Sequence, residues 1–342
     1  MSPENRKVVI VAGGTGGHIY PGIAVAQALA GADILFIGSA AGLEKELVPP
    51  AGFNLKLIRA RALTRQFSYK AVTAPFVTII GFFQALAILA AFAPRVVLTM
   101  GGYAALPVVL AAKALGIKLY VHEQNVLPGV TNKLAFRLAD KVFLSFPESL
   151  KYCAGEVVGN PVRAEILKAR RTKKDRQVVL VLGGSQGARS LNQAVAAALP
   201  KVDGRRWEIV HSVGRRDFPQ YGHLRSEHYR PLEYIADMAE ALAGADLVVS
   251  RAGATALAEF TVVGLPMVLV PYPYAAEDHQ ELNADVMVRG GAARKIADRD
   301  FTAERFLALL NDRTLDLPRM GENAKKLARP AAARLIAEAL WN

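Results

Sequence analysis

Cysteine is almost missing from this sequence: Cys153 stands alone among 342 residues. No disulfide can close within the chain, so nothing implies an oxidising compartment. An apolar signal core is missing as well. Met1-Ser2-Pro3-Glu4-Asn5-Arg6-Lys7 runs directly into an apolar strand, which makes cytoplasmic residence the expectation. Acidic residues vanish between Leu47 and His122, a stretch that still holds Lys56, Arg59, Arg61, Arg65, Lys70, Arg95, Lys113 and Lys118. Part of the net charge of +12 is therefore gathered into one region. Such a basic surface suits the phosphates of anionic lipid, nucleic acid or an acidic substrate, or is simply a solvated face.

Charge of either sign is missing from Ala71 to Pro94, which carries Phe76, Val77, Ile79, Ile80, Phe82, Phe83, Leu86, Ile88 and Leu89. By length alone, about 20 apolar residues could span a bilayer. A single span here would put the two halves of the chain on opposite sides of a membrane, and Pro75, Gly81 and Gln84 dilute it. Two readings remain: a buried helix, or a partly exposed apolar patch among Arg65, Lys70 and Arg95 that docks on an anionic membrane surface.

What is present is a repeated motif. Val8-Val9-Ile10-Val11-Ala12 enters Gly13-Gly14-Thr15-Gly16-Gly17, and Val178-Val179-Leu180-Val181-Leu182 enters Gly183-Gly184-Ser185-Gln186-Gly187. A buried strand that breaks into glycines ahead of a helix presents backbone N–H groups and the positive end of a helix dipole, which is a seat for an anion. Two such units predict two α/β domains facing a cleft suited to a nucleotide diphosphate. Composition agrees: 52% hydrophobic and 21% charged residues can fill two cores, and the length fits two domains.

Strands are predicted at 7–12, 33–38, 96–100, 118–122 and 141–145, and then at 177–182, 207–211, 246–250 and 267–271. Helices are predicted at 18–30, 42–49, 75–92, 104–115 and 129–138, then 188–199, 233–243, 253–263 and 279–289, with an alanine-rich helix over 324–341. The alternation is that of parallel sheets. Gly159-Asn160-Pro161 and the polar run 168–177 mark the domain crossing.

Two nucleotide-binding classes are excluded by missing residues. A dinucleotide fingerprint needs a third glycine, where Ile19 and Arg189 stand, and an acid after the second strand, which ends in Gly38-Ser39. A phosphate-loop ATPase needs a lysine that neither loop has. Among the candidates, His18 opens a helix beside the first loop and could accept a proton near working pH. His122-Glu123-Gln124-Asn125 follows a strand, where parallel sheets bind ligands, and Gly101-Gly102-Tyr103 follows another. Glu259 is the one charge between Arg251 and Glu277 and suits ribose hydroxyls. Arg163 and Arg251 could grip a diphosphate bidentately. Asp298-Arg299-Asp300 has metal-motif spacing, but Phe301-Thr302-Ala303-Glu304 after it reads as a helix start. No metal and no cofactor is expected.

Taken in order, several motifs resemble the MurG family of bacterial peptidoglycan glycosyltransferases. They are Gly13 to His18, Gly101-Gly102-Tyr103, His122 to Asn125, Gly159 to Arg163, Gly183 to Ala188, Arg251 to Ala254, Glu259, and Asp278-His279-Gln280 with Asn283-Ala284. The resemblance implies a GT-B fold of two Rossmann-like domains. Residues 1–160 would face acceptor and membrane, 161–323 would bind UDP-N-acetylglucosamine, and 324–342 would pack back on the first domain. By the same resemblance Ser185 and Gly187 lie near the diphosphate, with Ala254 and Thr255 in the donor site. Ile235 meets uracil through its backbone, Glu259 meets the ribose and Gln280 meets sugar hydroxyls. Thr15, Gly16, Gly17, Asn125 and Arg163 complete that site. Two positions depart from the family pattern: Ala105 replaces a hydroxyl residue, and Ala256 replaces a threonine beside Thr255.

The expected chemistry is a single displacement with inversion. His18, helped by Glu123, takes the proton of a muramoyl 4-hydroxyl on a lipid-linked pentapeptide, and UDP departs. The enzyme would sit peripherally on the cytoplasmic face of the membrane. Two other classes fit less of the sequence. A nucleotide-sugar epimerase would need no acceptor, and a nucleic-acid binder would interleave more base-stacking aromatics than this basic region has.

Overall fold

The computed structural model describes residues 6–61, 69–172, 174–184, 187–275 and 278–341, with side chains of the helix opening at Tyr69 described from residue 76 onward. The chain divides into two compact units, residues 1–163 with 329–342, and residues 164–328.

The first unit is a seven-stranded parallel sheet ordered β3-β2-β1-β4-β5-β6-β7. Its strands are β1 (Lys7–Val11), β2 (Asp33–Ser39), β3 (Asn54–Ile58), β4 (Val96–Thr99), β5 (Lys118–Glu123), β6 (Lys141–Leu144) and β7 (Glu156–Val157). The crossovers carry α1 (Gly16–Ala28), α2 (Glu44–Leu47), α3 (Tyr69–Phe92), α4 (Ala105–Ala114) and α5 (Val130–Phe136). Strands buried on both faces read as continuous apolar runs, which is why Val8-Val9-Ile10-Val11 has no polar alternation. Val8 and Ile10 enter one core, with Ile19 and Ile23 of α1. Val9 and Val11 enter the other, with Val108 of α4 and Ala85 and Leu89 of α3.

The second unit repeats the plan with a six-stranded parallel sheet ordered β10-β9-β8-β11-β12-β13. The strands are β8 (Gln177–Leu182), β9 (Trp207–Ser212), β10 (Tyr229–Leu232), β11 (Leu247–Ser250), β12 (Met267–Leu269) and β13 (Ala293–Lys295). Its helices are α6 (Ala164–Lys168), α7 (Arg189–Ala198), α8 (Phe218–Tyr221), α9 (Met238–Ala243), α10 (Ala254–Val263), α11 (His279–Arg289), α12 (Ala303–Leu310) and α13 (Leu317–Leu327). Strand order reverses between β1 and β4 in one unit and between β8 and β11 in the other. Each glycine turn of the sequence repeat thus lies at a switch point, where open α/β sheets leave a crevice for ligands.

One expectation about helices is corrected, and one choice left open is narrowed. The C-terminal tail is not one helix: α13 stops at Leu327, and α14 (Ala332–Trp341) starts after a break. Pro330 has no N–H and disfavours helical geometry at Arg329, so the chain turns there. The apolar helix α3 is partly buried and partly not. Gly81, Ala85 and Leu89 face inward. A Cβ on Gly81 would come within 2.3 Å of the Arg59 carbonyl, and the Gln84 side chain accepts the Arg59 N–H at 2.7 Å. These two residues therefore seat the helix against the end of β3. On another face Phe76, Ile79, Ile80 and Phe83 are exposed, Phe76 by 70% and Phe83 by 62%. Among the described residues no helix is long and apolar enough to cross a membrane.

α14 belongs to the first core, where Ile336, Ala337 and Leu340 pack with α1 residues. Replacing Ile336 by Ala should cost about 2–5 kcal/mol through the cavity it leaves. Urea unfolding measures this, and a change below about 0.5 kcal/mol, the level of an ordinary surface substitution, would show that α14 does not complete that core.

Candidate active site

In the first unit the turns after β1 and β4 touch backbone to backbone. Gly102 has φ +84°, and a Cβ there would lie 2.3 Å from the Gly13 carbonyl oxygen. Gly14 has φ +94° and packs under the Tyr103 ring. Its N–H donates at 3.1 Å to Oε1 of Glu44, which also accepts the Ser39 N–H at 2.8 Å. Glu44 is fully buried and its side chain lies over Gly38 and Gly42, so one carboxylate ties the end of β2 to the first glycine turn. Sequence reasoning missed Glu44; the glycines at 38 and 42 were its available signal.

Thr15 is the extended residue before α1, and no side chain caps that helix. The positive end of the α1 dipole therefore lies at the turn of Gly16 and Gly17. His18 stands in this first turn, half-buried, with Nδ1 at 3.1 Å from Oε1 of Gln124. The amide nitrogen of Gln124 donates to the Met100 carbonyl at 2.8 Å and to Nδ1 of His122 at 3.1 Å. His122 donates through Nε2 to the Gly159 carbonyl at 3.0 Å. Burial, the largest influence, lowers the His122 pKa to about 4 against the opposing pull of that carbonyl, with nearby His18 adding a little to the lowering. His122 is neutral at working pH.

Glu123 does not stand where a helper of His18 would. It is 2% exposed. Oε1 accepts from the backbone N–H and side-chain amide of Asn125, at 2.9 and 3.3 Å. Oε2 accepts from Gly129 N–H at 3.2 Å and Asn132 Nδ2 at 2.8 Å. Burial raises its pKa, and the four donors act the other way. The carboxylate anchors the loop from Asn125 to α5, and the expected proton-transfer role is revised on this geometry. Asn132, a second residue the sequence reading missed, also donates to the His122 carbonyl at 3.2 Å. Arg163 lies with its guanidinium over the Tyr20 ring at 4.1 Å, beside α1.

In the second unit, a Cβ on Gly183 would meet the Ala188 nitrogen at 2.4 Å, and one on Gly187 (φ +76°) the Val213 carbonyl oxygen at 2.2 Å. The turn is glycine by necessity and leads into α7, which has no side-chain cap. Ser185 falls outside the described residues. After β11, Gly253 precedes α10, again without a side-chain cap, so the amides near Ala254 and Thr255 open this helix. Glu259 lies on the same helix and is 6% exposed. Ile235 is buried in the loop between β10 and α9. Gln280 accepts Ala252 N–H at 3.1 Å and Tyr272 N–H at 3.0 Å through one oxygen, joining the turns after β11 and β12. What it can offer a ligand is the donor side of its amide.

Arg251 is corrected. NH1 pairs with Asp298 at 2.5 Å and reaches the Val270 and Pro271 carbonyls, while NH2 donates to Ser190 at 2.9 Å. A guanidinium already neutralised and used on both edges is a staple between β11, β12 and α7, not a diphosphate clamp. Asp298 also accepts from Ser190 at 2.6 Å, and Thr302 caps α12 through Arg305 N–H at 3.2 Å.

Two sheets with strand reversal at paired glycine turns define the class to which glycosyltransferases of the GT-B fold belong. Residues 8–144 match the glycosyltransferase family 28 N-terminal domain, and 178–339 match its C-terminal domain. The chain is 39% identical to the UDP-N-acetylglucosamine–N-acetylmuramyl-(pentapeptide) pyrophosphoryl-undecaprenol N-acetylglucosamine transferase of Desulforamulus reducens, over 95% of each chain. Among solved structures it is similar to Acinetobacter baumannii MurG, with TM-score 0.78 and 29% identity over 98% of this chain and 99% of that one. A putative UDP-N-acetylglucosamine 2-epimerase of Listeria monocytogenes shares the fold at 16% identity and TM-score 0.67, over 98% of this chain and 95% of that one. The chain belongs to glycosyltransferase family 28, in the MurG family.

His122 and His211, one in each unit, are buried neutral, with burial lowering their pKa values to about 4 and about 3. An unfolded histidine takes a proton below about pH 6.5 while these do not, so the unfolded state binds more protons and stability falls as pH drops from there toward 4. At pH 5 each should remove about 2 kcal/mol. Urea unfolding at pH 7 and pH 5 should show that loss shrinking in His211→Gln; an unchanged loss would remove His211 from the account.

Proposed function

We propose that the chain is an inverting transferase that moves N-acetylglucosamine from UDP-N-acetylglucosamine to the 4-hydroxyl of the muramoyl sugar in undecaprenyl-diphospho-muramoyl-pentapeptide. The reaction turns lipid I into lipid II in peptidoglycan synthesis. The observation that carries this reading is the 39% identity over 95% of both chains to a transferase named for that reaction. The polar cluster at the carboxyl ends of β1, β4 and β5 supports it chemically.

His18 is the base. With Nδ1 donating to Gln124, the lone pair is on Nε2, which takes the hydroxyl proton as the 4-oxygen bonds to the anomeric carbon. The bond from that carbon to the diphosphate breaks, and its electron pair leaves with UDP. Amides at the N-termini of α7 and α10, with Ser185 and Gly187 ahead of α7 in sequence, receive the diphosphate. The positive charge of Arg163 joins them, and each such contact with developing charge is worth about 3–4 kcal/mol. Glu259 accepts from the ribose hydroxyls, Gln280 donates to a sugar oxygen, and the Ile235 backbone faces uracil. Thr15, Gly16, Gly17 and Asn125 complete the donor contacts.

The acceptor is a lipid, and α3 suits a membrane surface. Phe76, Ile79, Ile80 and Phe83 form an exposed apolar stripe at helical spacing in the region that lacks acidic residues. We assign this face to peripheral docking on the anionic cytoplasmic leaflet.

Two measurements test these assignments. UDP release from UDP-N-acetylglucosamine should need a muramoyl-diphospho-lipid and fall about 10²–10⁴-fold in His18→Ala. Isomerisation of the donor without acceptor would favour an epimerase, and full turnover in His18→Ala would remove the base. Flotation with vesicles containing phosphatidylglycerol should be lost in Phe76→Ser/Phe83→Ser and weaker with neutral lipid. Equal flotation of both proteins would defeat the docking assignment.

A further inference from the structure

We infer that His122 and Gln124 are positioning residues that fix the ring tautomer of His18, through a hydrogen-bond chain whose direction is set at the Gly159 carbonyl. The inference rests on His18 as the base.

Two atoms in the chain are carbonyl oxygens and can only accept. The Gly159 oxygen, 3.0 Å from His122 Nε2, requires a proton on that nitrogen. Ser145 does not compete for that proton's place, because its hydroxyl donates to the Glu123 carbonyl at 2.9 Å. A neutral His122 protonated at Nε2 has a bare Nδ1, which must accept. The atom 3.1 Å from it is the Gln124 amide nitrogen, and the same nitrogen lies 2.8 Å from the Met100 oxygen. Its two hydrogens fit those two acceptors. Rotating the amide by half a turn would set its oxygen against two acceptors at once, so the orientation is determined from both sides.

The Gln124 oxygen is thereby left facing His18 Nδ1 at 3.1 Å. An amide oxygen accepts, so Nδ1 carries the proton and Nε2 carries the lone pair. Without the chain, His18 could place its proton on either nitrogen, and a fraction of molecules would hold the wrong one. The chain also explains the glycine at 159. Its φ is +97°, and a Cβ there would strike Arg329 Cβ at 2.4 Å, so the returning C-terminal segment holds this carbonyl in place.

The direct test is ¹⁵N NMR of the histidine rings in the intact protein, with the His18 signals assigned by their loss in His18→Ala. Wild-type His18 in its neutral form should be protonated at Nδ1 and bare at Nε2. Gln124→Leu should mix the two tautomers and lower kcat about tenfold or more, less than His18→Ala, with KM little changed. Gln124→Glu keeps an acceptor for Nδ1–H but sets its second oxygen against the Met100 oxygen and His122 Nδ1, so it should not restore that loss. Protonation at Nε2 in the wild-type protein overturns the inference without recourse to any variant. Full turnover in His18→Ala, with the tautomer as described, would sink the base assignment and leave the chain intact. An inactive His18→Ala combined with an Nε2 proton would do the reverse.

Discussion

Close approach of backbone at the carboxyl ends of the strands is the constraint on which the rest depends. Gly102 against the Gly13 carbonyl, and Gly187 against the Val213 carbonyl, are contacts that no side chain could share. They bring the turns of neighbouring strands together, in the first unit at the point where strand order reverses. Helix N-termini then open at those turns, and the positive ends of their dipoles suit phosphate binding. Substituting any of these glycines would force backbone, not a flexible side chain, to move.

A second theme is how polar groups are kept in a dry interior. His122, Glu123, Gln124 and Asn132 are all buried, and an unpaired polar group there would cost roughly 1–3 kcal/mol. His122, Glu123 and Gln124 are instead committed to named partners in set directions, and Asn132 spends its amide nitrogen on two of them while its Oδ1 has no hydrogen-bond partner among the described residues. The result is a rigid floor beneath one half-buried imidazole. In the second unit Arg251, Asp298 and Ser190 do the equivalent for the turns after β11 and β12.

Much of the fold was legible because doubly buried strands write themselves as apolar runs. The four strands that escaped prediction, β3, β7, β10 and β13, are the four edges of the two sheets. An edge strand has one neighbour and can be short or polar; β10 even contains Pro231, which only an edge tolerates. The glycine turns, His18 and the His122 to Asn125 run were legible as motifs. The orientation of Glu123 was not, since nothing local to it announces the loop donors of Gly129 and Asn132. Arg251 misled for the same reason, because Asp298 lies far along the chain. Pro330 was visible but was outweighed by the alanines around it.

The first unit is discontinuous: residues 329–342 return to it after the whole second unit has been made. During synthesis, the segment that seats Ile336 and Leu340 against α1 leaves the ribosome after the whole second unit. The second unit has all of its own strands and helices earlier. The nascent first unit must therefore wait, its core open along one helix, until that segment has emerged. That interval is when its apolar surface is most exposed to aggregation or to chaperones.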